Sequence, residues 1–185
     1  MKAMAIFQNG SGYIEFDQKT PTDLLTMNIN LSGFKAYSTH AIHIHEFGDF
    51  SDGCKSLGGH FNPTNKKHSH SELGHAGDLF NNFVTDNNGQ FIATFKTNKL
   101  SLYPNKLCIV GRSVVIHKFP DDYGMTESYH NLSDKQLLSI CNKLGYEFNK
   151  KITRDILLNK LIIESQTTGN ASTRIDCAII GLKKS

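Results

Sequence analysis

Six of the nine histidines in this chain fall between residues 43 and 78: His43, His45, His60, His68, His70 and His75, with Asp78 closing the run. Packing does not call for imidazole at this density, whereas copper and zinc sites are built from it. The cluster also constrains the fold. Most of it lies in residues 48–81, a stretch too long to stay ordered as bare loop, and metal ligation would order it.

The sequence around it reads as short strands. Residues 3–8, 12–17, 25–31 and 41–47 alternate or cluster apolar and β-branched side chains. Asp86-Asn87-Asn88-Gly89 is a hairpin-type turn between 82–85 and 90–96. Segments 107–110, 113–119 and 174–182 complete an all-β set, a sandwich or barrel. A second long connection, 120–169, is not all loop. Ser133-Asp134-Lys135-Gln136 is a capping box, followed by Leu137, Ile140, Cys141 and Leu144 at helical spacing and closed by Gly145. A second helix is expected over 154–163, with Ile156, Leu157, Leu161 and Ile162 as its buried stripe. The two form a helical hairpin within an insert at approximately 126–164, inside a single domain of residues 1–185.

Composition excludes several classes. A hydrophobic content of 38% with 20% charged residues fits a globular protein, and a net charge of +3 without a basic stripe argues against nucleic acid. No apolar run reaches membrane-spanning length. Residues 1–9 lack the apolar stretch of a secretory signal, so the expected location is cytoplasmic. Cys54, Cys108, Cys141 and Cys177 make no CxxC pair, which excludes a zinc ribbon or thioredoxin-type site.

His43 and His45 are two apart on an expected strand, so both imidazoles leave the same face. His117 ends the run Val114-Val115-Ile116-His117 and can approach from a neighbouring strand, a set suited to Cu(II). His60, His68, His75 and Asp78 make a closed tetrahedral zinc set. His70 competes with His68, and Asp78 has an alternative role as a loop cap.

Seven ordered motifs, covering nearly the whole chain outside the insert, closely resemble the Cu/Zn superoxide dismutases. They are His43-x-His45-Glu46-Phe47-Gly48-Asp49, Gly53-Cys54, Gly59-His60-Phe61-Asn62-Pro63, His75-x-Gly77-Asp78, Gly111-Arg112-Ser113-x-Val115-x-His117, Asp121-Asp122-x-Gly124, and Thr168-Gly169-Asn170-Ala171-x-x-Arg174-x-x-Cys177. The resemblance implies an eight-stranded Greek-key β-barrel or immunoglobulin-like sandwich. It implies one copper held by His43, His45, His60 and His117, and one zinc held by His60, His68, His75 and Asp78, with His60 as shared bridge. The implied reaction is dismutation of superoxide. His60 and Arg174 act on the substrate side, Asp121 links a copper histidine to a zinc histidine, and Thr168 narrows the channel. The implied disulfide is Cys54–Cys177, leaving Cys108 and Cys141 free. The implied partners are the superoxide anion, a second copy in a homodimer and a copper chaperone. The positions matching the family's dimer face are Phe47, Gly48, Phe50, Gly111, Ile180 and Leu182, with Phe50 as an exposed aromatic.

Two departures stand out. The segment between His68 and His75 is slightly short for the family. The family's lysine before Thr-Gly-Asn-Ala is missing from Ile163-Glu164-Ser165-Gln166-Thr167, so steering of the anion is either weaker or supplied by Lys150, Lys151, Arg154 or Lys160. The competing reading is an inactive relative that buffers metal or decoys copper-loading partners. Such a protein should have lost a copper ligand or Arg174, and neither is lost.

Overall fold

In the computed structural model, which describes residues 1–70, 73–149 and 151–184, the strands fall into two antiparallel sheets. They are β1 (Lys2–Ile6), β2 (Gly12–Asp17), β3 (Leu25–Leu31), β4 (Thr39–His45), β5 (Asn82–Val84), β6 (Phe91–Thr97), β7 (Ser113–His117), β8 (Arg174–Ile179) and β9 (Gly181–Leu182). One sheet runs β6-β3-β2-β1-β9 and the other β5-β4-β7-β8. β6 returns across the sandwich to pair with β3, Leu31 opposite Phe91.

Period-two alternation builds the interface between the sheets. From β1, β2 and β3 it turns Ala3, Ala5, Ile14, Phe16, Met27 and Ile29 inward. Facing them are Ile42 and Ile44 of β4 and Val114 and Ile116 of β7. The same alternation sends His43, His45 and His117 to the opposite face of the second sheet. Every side chain from Ala41 to His45 and from Ser113 to His117 is nonetheless buried. That second face is covered, and the two long connections cover it.

The ninth strand is the tail of the expected strand 174–182. Ile180 enters the core and the chain passes to the other sheet, where Gly181 and Leu182 pair with β1. Segment 107–110 is not a strand. Ile109 and Leu102 plug the core, and Cys108 keeps only an isolated bridge to Ser101.

The insert folds as two helices. α1 (Asp134–Leu144) has the expected reciprocal Ser133–Gln136 box and a left-handed Gly145 cap. α2 (Arg154–Thr168) runs five residues beyond the expected end at 163. Buried Ser165 takes the inward position one turn past Leu161, and the Thr167 and Thr168 hydroxyls bond back to Ile163 O and Glu164 O. Leu157 and Leu161 are buried as expected, while Ile156 and Ile162 are only half-buried.

Phe50 is half-buried against the Cys54, Leu57 and Cys177 cluster, not exposed, and Ile180 is a core residue. The dimer-face positions therefore reduce to Phe47 and Leu182 as exposed apolar groups. Cys54 and Cys177 form a disulfide across 123 residues of sequence. Cys108 and Cys141 are free thiols.

Candidate metal centre

β4 and β7 set the first group of imidazoles. In β4–β7 pairing His43 lies opposite Val115, and in β7–β8 pairing His117 lies opposite Arg174 beside an irregularity at Ile116/His117. Cross-strand partners share a face, so Arg174 stands next to His117. The third element is the loop bringing His60 back to β4, where it forms a bridge with His45.

Hydrogen bonding fixes which nitrogen of each ring is free. His45 Nδ1 lies 3.0 Å from Gly58 O and His117 Nδ1 lies 3.0 Å from Ser172 O. A carbonyl oxygen only accepts, so both Nδ1 atoms carry the proton and both Nε2 atoms are lone pairs. Those two Nε2 atoms face each other at 3.4 Å. His43 Nε2 donates to Asp121 Oδ2 at 2.7 Å, leaving its Nδ1 buried without a partner, and His60 Nε2 is buried without a partner too. The ligand atoms of these four residues all lie within 4.8 Å of one another. Four converging lone pairs repel unless a cation sits among them, so the set fits a divalent metal, and all-imidazole ligation suits copper.

The second set surrounds Asp78. His60, His68 and His75 place Nδ1 at 2.9, 3.0 and 3.1 Å from Asp78 Oδ1. One carboxylate oxygen cannot accept three such donors well, but three nitrogens and an oxygen enclose a tetrahedral zinc ion. All four residues are buried. His68 is in this set and His70 is not. His70 is exposed, its ring 5.6 Å from Tyr123. His60 belongs to both sets.

Asp121 spans them. Its Oδ2 accepts from His43 and its Oδ1 accepts His68 Nε2 at 2.9 Å. Asn81 Nδ2 adds a bond to Oδ2 at 3.0 Å, and Asn82 pairs with both backbone groups of Asp121. Sequence reasoning missed Asn81 and Asn82. Two adjacent asparagines before a strand look like turn residues, which is also what positive φ at Asn81 makes of the first. Gly169, at φ +64°, caps α2 so closely that a Cβ would lie 2.2 Å from Asp121 Oδ1 and 2.6 Å from His68 Nε2. Glycine is required there by both conformation and space.

Electrostatics follow from this wiring. Burial, with His43 close by, pushes His60 down to about 3 despite Asp78. Burial, with His60 and His117 close by, holds His45 well below the ordinary range, and burial with His43 does the same to His117. The Arg174 charge adds to both effects. Burial alone would raise Asp78 and Asp121, but hydrogen bonds from their histidines outweigh it and keep both carboxylates ionised. His68 goes the other way. Burial would lower it, yet Asp121 and Asp78 together push it up to about 9.

Arg174 is held by carbonyls, with Nη1 on Cys54 O at 2.6 Å and Nη2 on Gly58 O at 2.5 Å. Gly58 O thus serves both Arg174 and His45. Thr168 sits in the last turn of α2, its hydroxyl on Glu164 O. A cleft reaching His60 is walled by Ile163, Gln166 and Thr167 of α2 and by Lys66 and Lys67 of the loop. Lys160 pairs with Glu164, and Arg154 is tied to Asp134, Leu132 O and His130 O. Lys150 lies outside the described residues.

The family model for copper/zinc superoxide dismutase matches residues 10–138, which include every histidine and aspartate of both sets. The superoxide dismutase [Cu-Zn] of Saccharomyces cerevisiae is 33% identical over 174 residues, spanning 93% of this chain and 90% of that one. That of Candida albicans is 33% identical over 187 residues and 98% of each chain. Among solved structures, the crystal structure of the clock protein EA4 superposes with a TM-score of 0.72 at 30% identity, covering 98% of this chain and 94% of that one. Two clusters of metal-ligand side chains sharing one imidazole, on a scaffold matched over nearly the whole chain, place this chain in the copper/zinc superoxide dismutase family.

Proposed function

We propose that this chain dismutes superoxide to dioxygen and hydrogen peroxide, with copper held by His43, His45, His60 and His117 and zinc by His60, His68, His75 and Asp78. The observation that carries the reading is the convergence of four unprotonated imidazole nitrogens beside Arg174. Bound copper supplies the one-electron couple that oxidises one superoxide and reduces the next.

The protein's own groups do the rest. Arg174, fixed by Cys54 O and Gly58 O, presents a cation beside His117 and draws the anion in. His60 is the proton carrier. Its Nδ1 stays with the Asp78 set while its Nε2 takes up one proton and returns it to the departing peroxide. The second proton comes from water, so two superoxides and two protons give one dioxygen and one hydrogen peroxide. Asp121 holds His43 and His68 at fixed orientation and links the two sets. Thr168 bounds the channel.

The chain is read as a single domain, residues 1–185, with the insert at approximately 126–164 inside it. Exposed Phe47 and Leu182 support a homodimer face, and a copper chaperone and a cytoplasmic location complete the reading. Among the described residues no helix is long and apolar enough to cross a membrane. Pulse radiolysis of the copper- and zinc-loaded protein tests the activity. Catalytic decay of superoxide, lost in His117→Ala and reduced roughly tenfold or more in Arg174→Ala, is expected. Turnover equal to that of free copper, or unaltered in both variants, contradicts it.

A further inference from the structure

The insert has its own small apolar core of Tyr129, Leu137, Cys141, Leu157 and Leu161, separate from the core between the sheets. What joins the two is polar, and it converges on Asp122, the neighbour of Asp121. Asp122 Oδ2 accepts Tyr129 Oη at 2.6 Å and Asn170 Nδ2 at 2.8 Å, and its Oδ1 accepts Ser165 Oγ at 2.8 Å. Tyr146 Oη donates to Asn170 Oδ1 at 2.7 Å. The backbone adds Asp122 N to Gly169 O at 2.8 Å and His68 N to Gln166 O at 3.0 Å. The donors come from every part of the insert: Tyr129 precedes α1, Tyr146 lies between the helices, and Ser165 is on α2.

This arrangement is not what decoration requires. A hairpin with a closed apolar core needs only one covalent attachment at each end, yet buried hydroxyls and an amide are spent on a single carboxylate. Tyr129 is 9% exposed, and burial beside Asp122 keeps its phenol protonated above the ordinary range, so it remains a donor. Any shift of Asp122 moves Asp121, and with it the oxygens that orient His43 and His68.

We propose that the insert is a brace for the zinc set, in which Tyr129 acts through Asp122 as a positioning residue for Asp121 and His68. The proposal rests on His68 being a zinc ligand, as read above. Coupling of this kind is reciprocal. If the ordered insert tightens zinc, zinc must stabilise the insert by the same factor.

Zinc affinity is measured on the metal-free full chain by competition with a chromophoric chelator, for the wild type, Tyr129→Phe, Asp122→Asn and His68→Ala. Phenylalanine keeps the ring in the apolar core and removes only the hydroxyl, and circular dichroism confirms that the helices persist. Tyr129→Phe and Asp122→Asn are each expected to weaken zinc by roughly tenfold, with His68→Ala weaker still. Zinc is also expected to slow amide exchange across residues 134–144 of the wild type, and to do so less in Tyr129→Phe. Unchanged affinity in both brace variants, with zinc leaving exchange in α1 unaltered while His68→Ala binds weakly, overturns the brace and leaves the ligand reading standing. Unchanged affinity in His68→Ala overturns the ligand reading, and the brace with it.

Discussion

His45 Nε2 and His117 Nε2 face each other at 3.4 Å, and neither has a proton to offer the other. Each ring carries its proton on Nδ1 and donates it in a hydrogen bond to a carbonyl, Gly58 O for His45 and Ser172 O for His117. The backbone therefore fixes both tautomers before any metal arrives, and it fixes them in the form that binds one.

Zinc uptake should release a proton from His68. Its pKa of about 9 in the folded protein lies above the ordinary 6.5, so at pH 7 it is protonated, and zinc needs the lone pair at Nδ1. Affinity should rise with pH up to about 9. Calorimetry in buffers of different ionisation enthalpy measures the release, and pH-independent binding between 7 and 9 would contradict the assignment.

The same shifts set the stability of the metal-free protein. His68, raised to about 9, contributes stability that is fully present below 6.5 and lost as pH rises through 9. His60, lowered to about 3, is bound neutral, so its contribution is lost as pH falls from 6.5 towards 3. Denaturation followed against pH should show a maximum near 6.5, with stability falling from there towards 9 and towards 3, and steady strengthening from pH 6 down to 4 would refute it.

Gly169→Ala should disrupt the site without touching a ligand. The added methyl would meet Asp121 Oδ1 at 2.2 Å and His68 Nε2 at 2.6 Å, at a φ of +64° that alanine resists. Asp121 and His68 must separate, and zinc affinity should fall roughly tenfold or more. Wild-type zinc retention against a chelator would show that the helix cap yields instead.

Removing the disulfide should cost stability out of proportion to its contacts. Closing 123 residues stabilises by about 5 kcal/mol on the chain-entropy model. Urea unfolding of Cys54→Ser should show a loss of that order. Arg174 bonds to Cys54 O, so activity should fall as well.

Lys66 and Lys67 should carry the steering. They flank the cleft to His60, and among the described residues no carboxylate lines it and neither lysine has an ion-pair partner. Neutralising both to Gln should lower the rate several-fold at low salt and flatten its salt dependence. An unaltered salt slope would return steering to Arg174 alone.

The sequence made the sheet-borne ligands legible because strand alternation is strict. Ile42 and Ile44 must face the core, so His43 and His45 must face away. The capping box at Ser133 was equally direct. Legibility failed where tertiary contacts override local pattern. α2 outran its apolar stripe because Ser165 is buried against Asp122, a partner 43 residues away. Phe50 reads as a surface aromatic because nothing local shows the disulfide it packs on. Choosing His68 over His70 needed the family's spacing. In the fold the difference is plain, because the His68 amide is anchored to Gln166 O on α2.

Both proposed metal sets depend on a shared His60. Anomalous diffraction from crystals of the copper- and zinc-loaded protein, collected at both absorption edges, locates each metal separately. A copper peak is expected among His43, His45, His60 and His117, and a separate zinc peak among His60, His68, His75 and Asp78, with the His60 ring between them. A single peak, or a zinc ion ligated by His70 in place of His68, would contradict that arrangement.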